Sequence, residues 1–220
     1  MTKSFIISWS GGKDSALAYF RAVRAGHAPF GLLTMFEEGG DRSRSHGLPE
    51  EVLQAQAERM GMPLTIGRAG WETYEAEFKD RLQTFSSQGI ELCVYGDIDL
   101  EGHKEWAEKV TAAAGMEAYH PLWQEPRKAL LRQLIEEEFQ AVITVVDTER
   151  MSERFLGRTL TAELMDELEA LGIDACGEEG EFHTVIADGP IFVERVPLEF
   201  GDVIDVGRHK MLDVTLKAGK

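Results

Sequence analysis

Two cysteines, Cys93 and Cys176, are all the thiols that the 220-residue chain has. They lie far apart and form no CxxC, so neither a zinc knuckle nor a dithiol redox pair can be built from them. They read as small buried hydrophobes in a reducing compartment. With only seven prolines and no low-complexity run, a long disordered stretch is not expected. No segment approaches the roughly 18 consecutive apolar residues of a membrane span, and the opening MTKSFIISW lacks the apolar core and cleavage pattern of a signal peptide. A cytoplasmic protein with no membrane partner is expected. Basic charge is also short, since 23 Lys and Arg stand against 39 Asp and Glu, a formal net charge of -16. Phosphate-backbone binding needs a basic face, so no nucleic-acid partner is expected either. The same acidity serves solubility.

What the chain has is alternation. Apolar strand-like runs at FIISW, Pro29 to Met35, Pro63 to Ile66, Glu91 to Tyr95 and Ala141 to Val146 are separated by helical patterns. The helices are expected at Lys13 to Arg24, Glu50 to Met60, Tyr74 to Phe85, Glu101 to Ala114 and Arg127 to Glu138. Nearly continuous apolar strands between helices indicate a parallel sheet covered on both faces, an α/β doubly wound fold. After Thr148 the pattern changes. A helix from Thr161 to Leu171 is followed by GEEGEFHT and then by the extended segments VIADGPIFVERV, DVIDV and MLDVTL, a small β-rich subdomain. A division into an α/β domain, residues 1–147, and a smaller subdomain, residues 148–220, is expected. The loop from Phe36 to Glu51 is polar and long for a connection in such a unit, and it follows a strand on the edge where ligands bind, so it reads as a lid or an ordinary surface loop.

The first strand runs into Ser10-Gly11-Gly12-Lys13-Asp14-Ser15 and then into a helix. Adjacent glycines let a ligand approach the peptide N–H groups, and the helix start points its own unpaired N–H groups and the positive end of its dipole into the same space. Ser10 and Ser15 add hydroxyl donors and Lys13 a cation, an assembly suited to a polyphosphate. It is not a Walker A loop, because Asp14 follows the lysine and Ile7 stands where the leading glycine would be. A tight turn with Ser10 or Asp14 as cap explains single features of this junction but not all six residues together.

SGGKDS resembles the PP-loop of the ATP pyrophosphatases, which implies a Rossmann-like, adenine nucleotide alpha hydrolase-like fold. His46, Gly96-Asp97-Ile98, Pro121-Leu122-Trp123, Phe155-Leu156-Gly157-Arg158 and Gly177 to Thr184 extend the similarity over nearly the whole chain. They resemble the diphthine ammonia ligase (diphthamide synthase) family, and GHKEW, Gly102 to Trp106, looks like a bacterial variant. Family members that act on diphthine commonly show GEGGEFET, where this chain has Glu179 for a glycine and His183 for a glutamate. That departure leaves the acid substrate open.

The resemblance implies an ATP-dependent amide ligase. A small-molecule or modified-protein carboxylate is adenylated, pyrophosphate leaves with Mg²⁺, and ammonia or an amine displaces AMP. ATP would be held by Ser10, Gly11, Gly12, Lys13, Asp14 and Ser15, with Lys13, Asp14 and Asp97 catalytic and Asp14 a ligand for Mg²⁺. The substrate would be bound by His46, Gly177, Glu178, Gly180, Glu181 and Thr184. For Asp97 a helix-capping role competes with a catalytic one. His46, His103 and His183 are candidates for proton handling without metal-binding spacing. Two other readings stay open, a nucleotide-binding sensor without turnover and a PP-loop RNA-modifying enzyme, and a homodimer is compatible with either.

Overall fold

The computed structural model describes residues 2–44 and 46–217. Ser45 of the expected lid, Met1 and residues 218–220 at the ends of the two expected units lie outside them. The chain begins β1 (Ser4–Ser8), α1 (Lys13–Arg24), β2 (Ala28–Glu37), α2 (Glu50–Met60), β3 (Leu64–Ala69), α3 (Tyr74–Ser87), β4 (Leu92–Val94), α4 (Glu101–Ala113) and β5 (Glu117–Tyr119). The strands form a five-stranded parallel sheet in the order β3-β2-β1-β4-β5.

Side chains alternate across each strand, and here both faces are apolar. Phe5 and Ile7 of β1 and Leu92 and Val94 of β4 pack with residues of α1 and α2, whereas Ile6 and Cys93 pack with residues of α3 and α4. The α/β reading of the sequence is therefore correct. The strand order also fixes where a ligand fits. The chain steps outward from β1 through β2 to β3, then returns to lay β4 on the other side of β1, and a crevice opens at the carboxyl ends of the two strands flanking such a reversal.

The rest of the chain supplies α5 (Arg127–Glu136), β6 (Gln140–Asp147), α6 (Ala162–Ala170), β7 (Phe182–Asp188), β8 (Leu198–Val206) and β9 (His209–Leu216). Its strands form a separate antiparallel sheet in the order β7-β6-β9-β8, the β-rich part expected at the C-terminus. One correction concerns Ala141 to Val146. It was expected in the parallel sheet, but it lies in β6, antiparallel to β7 and β9. An apolar run buried on both faces looks the same whichever neighbours it takes, so periodicity could not choose. Strand β5 was not expected at all, because three half-exposed residues, Glu117 to Tyr119, carry no strand pattern. The segment VIADGPIFVERV stays extended only to Asp188, where Gly189 (φ 151°) and Pro190 end the strand.

One hydrophobic core joins the two sheets, with Ile7, Leu17 and Leu53 from the first unit in the same cluster as Ile143, Val185 and Ile186 from the second. Among the described residues no helix is long and apolar enough to cross a membrane.

Candidate functional site

The junction after β1 lies at the crevice. Gly11 takes φ 81°, a conformation open to glycine at little cost. Gly12 stands at the start of α1 in extended geometry, and no side chain caps the helix through it. The hydroxyls of Ser10 and Ser15 are 3.1 Å apart, and Ser15 Oγ donates to the Gly12 carbonyl at 3.0 Å. The loop is held from behind by Gln56 of α2, which is fully buried. Gln56 Nε2 donates to the carbonyls of Gly11 (3.0 Å) and Ile186 (2.8 Å), and its Oε1 accepts from Trp9 Nε1 at 3.0 Å.

The second sheet clamps the same loop. The Ile186 N–H donates to the Gly11 carbonyl at 2.9 Å, and the buried Thr184 Oγ1 accepts the Lys13 N–H at 3.1 Å. A third contact comes from the loop after β4. A Cβ on Gly96 would sit 2.9 Å from the backbone of Asp14 and Ser15, so only glycine lets β4 approach the first turn of α1 this closely.

Lys13 is buried, and its Nζ donates to both Asp14 oxygens, at 2.9 and 2.7 Å, and lies 3.5 Å from Glu178 Oε1. Burial works against its charge, but Asp14 and Glu178 outweigh that and hold its pKa above the ordinary lysine range. The Glu178 carboxyl is pushed up to about 7, first by burial and then by the Asp14 carboxylate, against the pull of Lys13. Lys13, Asp14 and Glu178 thus form one charged cluster at the helix start, built from residues far apart in sequence. Gly177 (φ 69°) allows the bend that delivers Glu178, and a Cβ there would meet the Phe182 ring at 3.0 Å.

His46 lies across the glycines. Its ring occupies the space a Gly12 Cβ would need, 2.2 Å from Cε1, and its Nδ1 donates to the Thr184 carbonyl at 2.7 Å. Burial lowers its pKa to about 4 against the help of that hydrogen bond, and burial beside His46 and Lys13 lowers His183 to about 3, so both rings are neutral. Their centroids are 4.9 Å apart. Ser43 and Leu48 exchange hydrogen bonds, and Arg42 reaches Asp213 of β9 at 2.8 Å.

Glu181 is also buried, but it turns away from Lys13. It accepts the Glu179 N–H at 3.1 Å and faces Arg150 at 3.8 Å, while Gly180 (φ 85°) forms the open corner of the same turn. Asp97, just beyond β4, stands between His103 Nδ1 (3.6 Å) and His120 Nδ1 (3.7 Å). Sequence reasoning missed Gln56, His120 and Arg127. Arg127 binds Asp99 at 2.7 and 2.8 Å and Asp174 at 2.8 Å, tying the loop after β4 to the glutamate turn. A lone glutamine in an amphipathic helix and a histidine before a proline give no signal in one sequence; Arg127 opening a helix with leucines at i+3 and i+4, where an acidic partner would stand, gives a weak one.

The molecule is therefore a doubly wound α/β protein whose glycine loop and helix start open on the crevice of the parallel sheet, with a second sheet lending a wall. The model of the diphthamide synthase N-terminal domain matches residues 3–118, and that of the C-terminal domain matches residues 126–211. The chain belongs to the diphthamide synthase family. A diphthine–ammonia ligase of Schizosaccharomyces pombe is 25% identical over 95% of this chain and 38% of its own length. The enzymes of that name from Homo sapiens (25% identical) and Danio rerio (27%) each align with 89% of this chain and with 82% and 86% of their own lengths. The chain thus spans well under half of the fission yeast relative and most of the vertebrate ones.

Proposed function

We propose that the protein is an ATP-dependent ligase that forms a C–N bond, adenylating a carboxylate and passing the acyl group to ammonia; its relatives bear the name diphthine–ammonia ligase. The observation that carries this reading is the convergence at the β1/β4 crevice of the start of α1, the two glycines before it and the buried Lys13. A triphosphate seated there would take hydrogen bonds from the loop and the helix start, and Lys13 would stabilise the charge that develops on the leaving pyrophosphate. The hollow lined by Trp9, Ser10, Met35, Ser43 and Tyr74 borders the loop, and the nucleoside would extend toward it.

Among the described residues no three His, Cys, Asp or Glu side chains are arranged to hold a metal ion. Mg²⁺ commonly takes one or two carboxylates and completes its shell with phosphate oxygens and water, so Asp14 alone suffices for an ion that arrives with the nucleotide. Bound there, the ion would neutralise phosphate charge. Asp14 in turn is kept at the phosphates by Lys13. The residue 148–220 part, with Glu178, Thr184 and the glycines of its turn, forms the wall against which the acyl substrate would be bound. A diphthine-bearing protein fits as that substrate, with Glu179 and His183 adjusting the choice of acid.

The test is product analysis with ATP, Mg²⁺, ammonium and diphthine-bearing elongation factor 2 or a library of acids. AMP and pyrophosphate are the expected products, and Lys13→Ala is expected to lower their formation at least 100-fold, since it removes a charge-stabilising donor and leaves Asp14 unpaired. ADP and phosphate as products, or undiminished turnover by the variant, would refute the proposal.

A further inference from the structure

His120 follows β5 and packs flat on Tyr95, with ring centroids 5.3 Å apart and planes at 18°. Its side chain is only 6% exposed, and neither ring nitrogen has a hydrogen-bond partner. A buried imidazole with both nitrogens unpaired is costly, and such a group in a native fold marks a place where a ligand or water completes the structure. The nearest polar group is the Asp97 carboxylate, whose Oδ2 is 3.7 Å from Nδ1. That separation is too long for a direct hydrogen bond. It is, however, one that two N–H bonds of a single small donor can span, each at an ordinary length of about 2.9 Å.

Resting on the ligase reading above, we infer that Asp97 and His120 form the ammonium site of this protein, with Asp97 holding the cation and His120 taking its proton. Asp97 is joined to the phosphate loop through its neighbour Gly96, which packs on the first turn of α1, so the site lies beside the reacting centre. The other charged groups around His120 are Lys104 and Glu108 of α4, and His103 lies on the far oxygen of Asp97. Burial lowers the His120 pKa, against Asp97 and Glu108, and this leaves the ring neutral and able to accept a proton. Asp97 raises that of His103, which is exposed on α4 and gives a route to solvent.

In the reaction, ammonium gives one proton to His120 and the freed lone pair forms the C–N bond to the acyl carbon. The C–O bond to the phosphate of AMP breaks, and AMP departs with that electron pair. The nitrogen loses its second proton to Asp97 and, through His103, to water. The product is a neutral amide.

The site is tested by titrating ammonium chloride into the isotopically labelled full-length protein and following the histidine ring nitrogens by NMR, with potassium chloride at equal concentration as the control. Ammonium is expected to shift the His120 signals saturably where potassium does not. Asp97→Asn is expected to weaken the response at least tenfold, and His120→Gln to abolish the companion shift at His103. If His120→Gln melts early, Asp97→Asn carries the test, since its side chain is partly in solvent. Equal responses to both cations, or no saturable response, would overturn the inference. The titration needs no ATP or acyl substrate, so its failure is distinguishable from failure of the ligase proposal, which product analysis reads.

Discussion

At the scale of single residues, the site depends on what is missing from two glycines and on one carboxyl held out of its ordinary range. Gly96 faces the Asp14–Ser15 backbone with no room for a methyl group. Gly96→Ala is therefore expected to push β4 and α1 apart, costing about 2 kcal/mol, as overpacking does. Calorimetry should show a melting temperature lower by roughly 4–8 °C, and nucleotide affinity should fall more than the loss of stability alone explains. Glu178 makes a prediction of opposite sign. Its folded-state pKa of about 7 lies above the usual carboxylate value, so the folded protein holds a proton that the unfolded chain releases. Stability from this group falls as pH rises through the interval between the two values and is level beyond it. Glu178→Gln keeps the shape without the charge. It is expected to melt higher than the parent at pH 8, by an amount that vanishes near pH 4.5, and thermal melts across that range measure it.

At the scale of elements, α1 is positioned by its neighbours more than by its own sequence. Lys13 to Arg24 has good helix formers on its buried side and arginines in its last turn, where they complement the dipole. Its start is capped from β7 by Thr184, and its loop is pinned from α2 by Gln56. The turn carrying His46 closes over that start through one hydrogen bond to Thr184. His46 and His183 have folded-state pKa values of about 4 and 3, below the ordinary imidazole value. For such groups the unfolded or open form binds more protons, so the stability they contribute is full above pH 6.5 and is lost as pH falls through the folded values. Acidification from pH 7 to 4 is expected to free the Arg42–Leu48 turn before the helices melt, seen as faster amide exchange there. His183→Asn should move that opening to lower pH, whereas an unchanged profile would show that the imidazole pair does not control the turn.

At the scale of the molecule, the two sheets share one core and one ionic clasp. Because residues of both lie in a single hydrophobic cluster, unfolding of either unit exposes part of the other's interior. Far-UV and near-UV melting curves are expected to coincide in one transition. Arg127 holds Asp99 beside the first sheet and Asp174 beside the second, and all three side chains are 21–33% exposed. Screening by solvent keeps its worth small, so Arg127→Ala should cost about 1 kcal/mol of stability. Its larger expected effect is on turnover, because the glutamate turn that carries Glu178 loses its tie to the loop bearing Asp97. A several-fold fall in turnover with a nearly unchanged melting temperature would separate positioning from folding.

Much of this was decided by local sequence. Alternating apolar strands and helical spacing specify the α/β unit, and Gly11-Gly12-Lys13 after a strand specifies a glycine turn that opens a helix, because backbone freedom and a helix start are local properties. The partners of Glu178 and His46 are not local. That Thr184 caps α1, that Glu178 reaches Lys13 while Glu181 turns to Arg150, and that Ala141 to Val146 joins the second sheet all depend on contacts between segments that are not neighbours in the chain. An apolar strand or a glutamate carries no mark of its distant neighbour. Only the packed chain, where buried polar groups must find partners and faces must find cover, selects one.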